Sequence, residues 1–161
     1  MKTNRAGRDL IKRFESFQPS AYAAPEQVGT TGRTIGYGHV ILDGDNIPDP
    51  MTEAEADELL QKDLERFERA VWKALDGRVQ PIITLNEFSA LVSFVFNAGS
   101  EAFRNSTLRR KVNALDFEGA AEEFGKWVYA TVDGKKVKLK GLVDRRQAER
   151  ELFETPDQAA A

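Results

Sequence analysis

The chain has 161 residues, of which 41% are hydrophobic and 30% are charged, a composition typical of one soluble globular domain. Its 23 basic and 26 acidic side chains give a net charge of −3, which excludes the strong positive field that nonspecific nucleic-acid binding requires. With no cysteine and one histidine, the sequence offers neither a disulfide framework nor a thiolate or histidine-rich metal site.

The N-terminal segment, residues 1–8, lacks the apolar core of a secretory signal. No run of 18 apolar residues, the length that suggests a membrane-spanning helix, occurs in the sequence. We therefore expect a chain without an integral membrane segment that is made in the cytoplasm.

The first helix predicted along the chain ends in a glutamate. Four apolar residues recur at the helical spacing i, i+1, i+4, i+7 and fill one arc of the helix: Leu10, Ile11, Phe14 and Phe17. Glu15 falls at the border of this arc, where partial desolvation favours the protonated form of a carboxyl group, as a general acid requires. The alternative interpretation is a surface ion pair with Lys12, three residues earlier.

A glycine-rich strand follows, with the sequence Thr34-Ile35-Gly36-Tyr37-Gly38-His39-Val40. It alternates β-branched or aromatic residues with glycine, which favours a short strand whose backbone a bulky ligand approaches closely.

With this strand, the sequence resembles the phage-type (T4-like) lysozymes or endolysins, glycoside hydrolase family 24. Their signature is a glutamate at the end of the first helix, an aspartate or cysteine nine residues later, and a threonine that opens a Thr-Ile-Gly-Tyr-Gly-His strand. Glu15 and Thr34 match the first and third positions. The resemblance covers about residues 7–153 and includes three further blocks, residues 93–99, 105–108 and 141–146.

The second position of the signature is occupied by Ala24, counting from Tyr22. A methyl group can neither hold a water molecule nor stabilise positive charge. Glu26 is the nearest carboxylate, and the segment up to Thr34 is longer than is usual in the family. Three interpretations stay open: the loop carries Glu26 into the missing role, Ala24 marks a naturally impaired enzyme, or the residue was replaced to trap an inactive form.

The resemblance also assigns a supporting role to charged residues. Asp63 is expected to pair with His39 and to raise the pKa of the imidazole, which makes the role of His39 structural. The competing interpretation of His39 is a catalytic base. One of two arginines, Arg145 or Arg146, with Arg146 preferred, is expected to pair with Glu15.

The resemblance places five residues in the sugar groove: Gly38, Val40, Phe96, Asn97 and Ser106. From the residues alone, Asn97 is as well explained by a helix C-cap. Ser106 is explained by an N-cap for a helix over 107–114.

Two capping boxes and one turn mark the remaining elements. Thr52 with Glu55 opens a long amphipathic helix, and Thr84 with Glu87 opens a helix that is apolar on nearly all sides and therefore central to the fold. Residues 129–139, with Asp133-Gly134 at the middle, predict a β-hairpin. Its lysines are explained by a solvated face, or by attraction to anionic wall polymers.

The predicted fold is α+β, mainly α and lysozyme-like, with an active-site cleft between two lobes. The resemblance implies one domain over 1–153, with a small β-containing lobe over about 18–60 and a helical lobe over about 1–17 and 78–153. A linking helix is expected over about 52–76. Residues 154–161 are predicted to form a flexible tail.

The implied function is that of a muramidase that hydrolyses the β-1,4 bond between N-acetylmuramic acid and N-acetylglucosamine in peptidoglycan, with inversion, and so lyses bacteria. No cofactor is expected, and the enzyme is expected to be a monomer that needs a holin to reach the cell wall in the periplasm. The alternatives are a peptidoglycan-binding protein without catalysis and a helical interaction protein.

Overall fold

The computed structural model describes residues 1–23 and 30–158. The chain is mainly helical with two small antiparallel sheets, which confirms the predicted α+β class. It divides into two compact units, residues 12–65 and residues 1–11 with 66–161. The lobe boundaries expected from the resemblance stay a prediction. No helix in the described part of the chain combines the length and the apolar character that a membrane span requires.

The smaller unit contains the end of helix α1 (Arg5–Glu15) and a three-stranded antiparallel sheet in the order β1-β2-β3. Its strands are β1 (Gln18–Ala23), β2 (Thr30–Gly36) and β3 (His39–Leu42). Ser16 has a φ of 61°, a left-handed conformation that ends α1 and directs the chain into β1.

A compact apolar cluster holds the smaller unit together. Ile35, Met51 and Ala56 are buried at its centre, with Phe17 and Tyr37 among the residues packed around them. Helix α2 (Glu53–Ala74) supplies Ala56. The predicted capping box of α2 is present, since Glu55 N donates to Thr52 Oγ1 and Thr52 N donates to Glu55 Oε2.

Among its described residues, the larger unit is helical apart from one hairpin. After the second half of α2, the described chain forms five further α-helices and one turn of 3₁₀ helix over Phe124–Lys126. The helices are α3 (Leu85–Ala98), α4 (Ser100–Arg104), α5 (Thr107–Asn113), α6 (Phe117–Glu123) and α7 (Lys140–Glu154).

Helix α3 lies at the centre of the larger unit, as its apolar sequence predicts. Its capping box, Thr84 with Glu87, is present, and every residue from 88 to 95 is buried. Phe94 makes edge-on ring contacts with Phe103, Phe124 and Trp127, with centroid distances of 6.2, 5.9 and 5.2 Å. These contacts join α3 to the segments that surround it.

The predicted hairpin is also present, as β4 (Tyr129–Val132) and β5 (Lys135–Lys138). Its turn residues, Asp133 and Gly134, both have positive φ, at 50° and 76°. Two positive φ values in a two-residue loop match the right-handed twist of the flanking strands.

Residues 155–157 form hydrogen bonds with the start of α3, while the flexibility of the tail stays a prediction. Asp157 caps the N-terminus of α3, because its two carboxylate oxygens accept hydrogen bonds of 2.8 Å from Leu85 N and Asn86 N. The side chain of Asn86 donates to the carbonyl oxygens of Thr155 and Pro156. The chain is therefore anchored as far as Asp157, since unpaired N–H groups at a helix start attract a carboxylate.

Candidate active site

The candidate general acid, Glu15, is the last residue of α1 and is partly buried. Ser16 N donates to the carbonyl of Lys12 at 3.0 Å, so the backbone turn immediately after Glu15 is fixed. Lys12 itself forms an ion pair with Asp57 of α2. The helix end therefore holds Glu15 at a defined place in the smaller unit.

The loop between β2 and β3 lies against Glu15. A Cβ atom added to Gly38 would stand 3.1 Å from Glu15 Oε2, and Gly38 has a φ of +82°. The neighbouring Tyr37 ring packs on Phe17 with a centroid distance of 5.7 Å. The loop therefore needs glycine at position 38, both for its backbone conformation and for the space beside the carboxylate.

Thr34 is in the central strand of the same sheet. It pairs with Val40 on β3 and with Tyr22 on β1, and it is 6% exposed. Thr34 and Gly38 therefore flank the same β2–β3 connection, and only a small part of the Thr34 side chain is accessible to a ligand. Val40, a predicted groove residue, is partly buried opposite Thr34.

The pair of His39 and Asp63 expected from the resemblance is present. Nδ1 of His39 lies 2.7 Å from Asp63 Oδ2, and Nε2 lies 3.2 Å from Asp45 Oδ2. The hydrogen bond to Asp63 raises the pKa of His39 above its ordinary value of 6.5, against the smaller effect of burial. An imidazolium between two carboxylates is a poor base, so the geometry favours the structural interpretation of His39.

Asp45 is a partner of His39 that the sequence did not indicate. Its Oδ2 also accepts a hydrogen bond of 2.8 Å from Leu42 N, and this bond is the main reason why the pKa of Asp45 is lowered from 3.8. Residues 43–50 contain one glycine, two prolines and four Asp or Asn residues, a composition that by itself indicates only a loop. Asp45 thus links the end of β3 to the imidazole ring.

Ala24 and Glu26, the two candidates for the second position of the signature, lie outside the described residues. The choice between the three interpretations of this position therefore stays open.

In the larger unit, Arg145 and Arg146 share a buried glutamate. Glu149 is 0% exposed, and the two arginines are 3% and 2% exposed. Arg145 Nε donates to Glu149 Oε1 at 3.2 Å, Ser93 Oγ donates to the same oxygen at 2.8 Å, and Arg146 forms an ion pair with the other carboxylate oxygen. The network ties α7 to the centre of α3.

All three side-chain nitrogens of Arg146 have partners within the larger unit. Nε donates to the Trp127 carbonyl at 3.0 Å, and the two terminal nitrogens contact Glu149 and Asn97 Oδ1. The pairing of either arginine with Glu15 stays a prediction. The spacing of Arg145 and Arg146 from Glu149 was the available sequence signal for this network, since residues three and four apart are neighbours on a helix.

The other predicted groove residues have structural partners. The C-cap of α3 is Gly99, so the alternative interpretation of Asn97 as a cap is wrong, and its side chain instead accepts a hydrogen bond from Arg146. Phe96 packs edge-on against Phe67, with ring centroids 5.1 Å apart. Ser106 is 4% exposed and is the N-cap of α5, as predicted from the residues alone.

Comparisons with known proteins agree with this architecture. The family model described as Phage lysozyme matches residues 12–149. The chain is 40% identical over 156 residues to an endolysin of Acyrthosiphon pisum secondary endosymbiont phage 1, an alignment that covers 96% of this chain and 99% of that protein. It is 41% identical over 155 residues to an endolysin of Bacillus phage PZA, covering 95% of this chain and 55% of that longer protein.

This chain is also similar to a solved structure. The muramidase domain of SpmX from Asticcacaulis excentricus superposes with a TM-score of 0.82 at 37% identity, covering 96% of this chain and 99% of that domain. The match extends over both the helical segments and the small sheets, because almost the whole of each chain is aligned. The chain therefore belongs to the phage lysozyme family, and is a peptidoglycan-degrading glycoside hydrolase as the sequence resemblance predicted.

Proposed function

We propose that this phage-type lysozyme cleaves the β-1,4 bond between N-acetylmuramic acid and N-acetylglucosamine, with Glu15 as the proton donor. The observation that carries this proposal is the placement of the Glu15 carboxylate beside Gly38, where the loop backbone replaces a side chain. The glycine lets the loop backbone lie against the carboxylate, and the family resemblance places the sugar at this loop. Membership of glycoside hydrolase family 24 in particular is part of the proposal.

The proposed reaction is a displacement by water at the anomeric carbon. Glu15 donates a proton to the glycosidic oxygen as the bond from C1 to that oxygen breaks. A water molecule attacks C1 and gives its proton to the carboxylate at the second catalytic position, or to solvent where that carboxylate is absent. Thr34 is proposed to hold this water by its hydroxyl group on the opposite face of the sugar, which inverts the configuration at C1. The family supplies a second polar group on that face at the position that Ala24 occupies, and Glu26 is the nearest carboxylate in the sequence that can take this role.

The substrate contacts are proposed from the family resemblance. In the smaller unit they are Gly38, in the loop between β2 and β3, and Val40, in β3; in the larger unit they are Phe96 and Asn97, near the end of helix α3. Ser106 is proposed to act through the N-terminus of α5, since its own hydroxyl is used in capping.

The enzyme acts on the bacterial cell wall. We propose in addition that it does so in the periplasm as a monomer, after a holin opens the inner membrane. These three points are supported by the family resemblance.

A turbidity assay on purified cell walls tests the proposal. The enzyme should clear the suspension, and Glu15→Gln should abolish clearing because an amide cannot donate the required proton. Glu122→Gln, which makes the same chemical change at an exposed position of α6, is the matched control and should retain full activity. Full activity of Glu15→Gln would refute the assignment of the proton donor.

The same assay should also include a variant at position 24. Ala24 is the observation that favours a peptidoglycan-binding protein without catalysis, so Ala24→Asp tests this alternative. If the native chain binds walls without clearing them and Ala24→Asp restores clearing, the chain is a crippled enzyme. If no variant clears or binds walls, a helical interaction protein is the better interpretation. If the native chain clears walls, Ala24 is compatible with catalysis.

A further inference from the structure

The larger unit contains a solvent-open cavity of about 520 Å³ that lies between the second half of α2 and the segment formed by α4 and α5. Five of its lining side chains are cationic: Arg66, Arg69, Lys73, Arg104 and Arg109. Among the residues that the structure describes, no aspartate or glutamate lines it. The whole chain has a net charge of −3, so this concentration of positive charge is opposite in sign to the protein around it.

The cavity wall on α2 follows from the helical repeat. Arg66, Arg69 and Lys73 alternate with Ala70 and Ala74 at the spacing i, i+3, i+4, i+7, i+8, which places all five on one face of the helix. The alanines leave open volume between the longer cationic side chains. From Arg66 to Lys73 the helix rises roughly 10 Å. The charges are therefore spread along a line and are not gathered at one point.

Two of the five cations have structural partners. Arg66 lies over the Phe67 ring, with its guanidinium carbon 4.6 Å from the ring centroid. Arg109 Nε donates to the Ala74 carbonyl at 2.8 Å and Nη1 donates to the Arg104 carbonyl at 3.2 Å, so this guanidinium caps the C-terminal end of α2. The same two bonds fix its orientation in the cavity wall. Arg69, Lys73 and Arg104 are exposed, and no carboxylate within the described residues forms an ion pair with them.

We propose that this cavity binds a linear ligand that carries two or more phosphate groups. The planar guanidinium fork of arginine matches the geometry of a phosphate, and lysine adds a point charge. A row of cations roughly 10 Å long matches successive phosphates better than it matches a single one. A site lined by one sign of charge also concentrates a ligand of the opposite sign.

Two sources can supply this chemistry: a phosphodiester-linked wall polymer, or free inorganic polyphosphate. The inference goes beyond the proposed muramidase function and does not depend on it. Both probes are available as short, soluble compounds, namely a tri(glycerol phosphate) oligomer and inorganic tripolyphosphate. The measurement uses the whole chain without cell walls, so its result is separate from the outcome of the turbidity assay.

Isothermal titration calorimetry at near-physiological salt tests the proposal, because exposed charges further apart than a Debye length are screened under these conditions. The native chain should bind at least one probe with a stoichiometry of one. The triple variant Arg69→Gln, Lys73→Gln, Arg104→Gln should bind it about tenfold or more weakly, since charge-assisted hydrogen bonds are lost. The thermal unfolding midpoint of each variant shows whether the fold is retained.

Three exposed cations outside the cavity provide a matched control with the same change in net charge. The variant Arg5→Gln, Arg13→Gln, Lys62→Gln should bind within about twofold of the native chain. If the two triple variants lose the same amount of affinity for the probe, binding depends only on net charge and the proposal is overturned. The absence of binding to both probes would also overturn it. Tighter binding of the glycerol phosphate oligomer assigns the site to a phosphodiester polymer, and tighter binding of tripolyphosphate assigns it to free polyphosphate.

Discussion

Gly38 stands so close to Glu15 that a methyl group on its Cα would lie 3.1 Å from the carboxylate oxygen Oε2. The contact joins the end of the first helix to the loop between two strands. It explains the glycine at position 38, which lies in the turn between β2 and β3. The position of the proposed proton donor therefore depends on the backbone conformation of residue 38 as well as on its own helix.

Gly38→Ala should reduce wall-clearing activity strongly, by a factor on the order of 100, since a small misplacement of a catalytic group has an effect of this size. The new methyl group crowds Glu15, and the φ of +82° at this position also strains the backbone of an alanine. Initial rates in the turbidity assay measure the effect.

The control for this prediction is Gly44→Ala. Gly44 has a similar φ of +88°, but nothing lies within 4 Å of the place that an added methyl group would take, so this variant introduces the strain without the crowding. Its activity should stay close to that of the native enzyme. An equal loss in both variants would attribute the effect to backbone strain alone.

The pair of His39 and Asp63 predicts a dependence of stability on pH. The pKa of His39 is raised in the folded state, so the folded protein binds a proton more tightly than the unfolded chain does. The stabilisation is complete below the unfolded value of about 6.5 and is lost as the pH rises through the raised folded-state pKa. The free energy of unfolding, measured in urea at a series of pH values, should therefore fall over this range.

His39 is the only histidine in the sequence, so its imidazole protons can be followed by NMR without assignment of other rings. The midpoint of this titration should lie above the ordinary value of 6.5 in the native chain. In Asp63→Asn it should move down towards that value, and the pH dependence of stability should shrink. A midpoint below the ordinary value in the native chain would contradict the charged pair.

The buried glutamate on α7 predicts a large effect on stability. Glu149→Gln removes the carboxylate charge that Arg145 and Arg146, which are 3% and 2% exposed, share. Removal of one partner from a buried ion pair typically lowers the free energy of unfolding by about 3–5 kcal/mol. Chemical denaturation should show a loss of this order.

Glu154→Gln is the matched variant on the same helix. Glu154 is exposed and pairs with Arg150 at 3.1 Å, and a surface pair of this kind contributes roughly 0.5 kcal/mol or less. Glu154→Gln should therefore lower the free energy of unfolding much less than Glu149→Gln does. If both variants lose the same small amount, the hydrogen-bonded network around Glu149 does not stabilise α7.

Much of the local structure could be predicted from the sequence. The two capping boxes, the hairpin turn at Asp133-Gly134 and the N-cap at Ser106 each depend on residues three or fewer positions apart, and each is present. The position of Glu15 at a helix end follows from the apolar periodicity. The glycine pattern predicted one strand over 34–40 approached by a ligand, whereas the structure has a turn at residues 37–38 that lies against Glu15.

Tertiary structure decided which of these groups are buried and which distant residues meet. The spacing of Arg145 and Arg146 from Glu149 is the same in a surface helix and in a core helix, so only the packing of α7 on α3 shows that their charges are desolvated. Asp157 caps a helix that starts 72 positions earlier, and the cationic cavity joins residues of α2 to Arg104 and Arg109. A local sequence pattern involves residues only a few positions apart, so it can be recognised from the sequence. Contacts between residues distant in sequence form only when the chain folds.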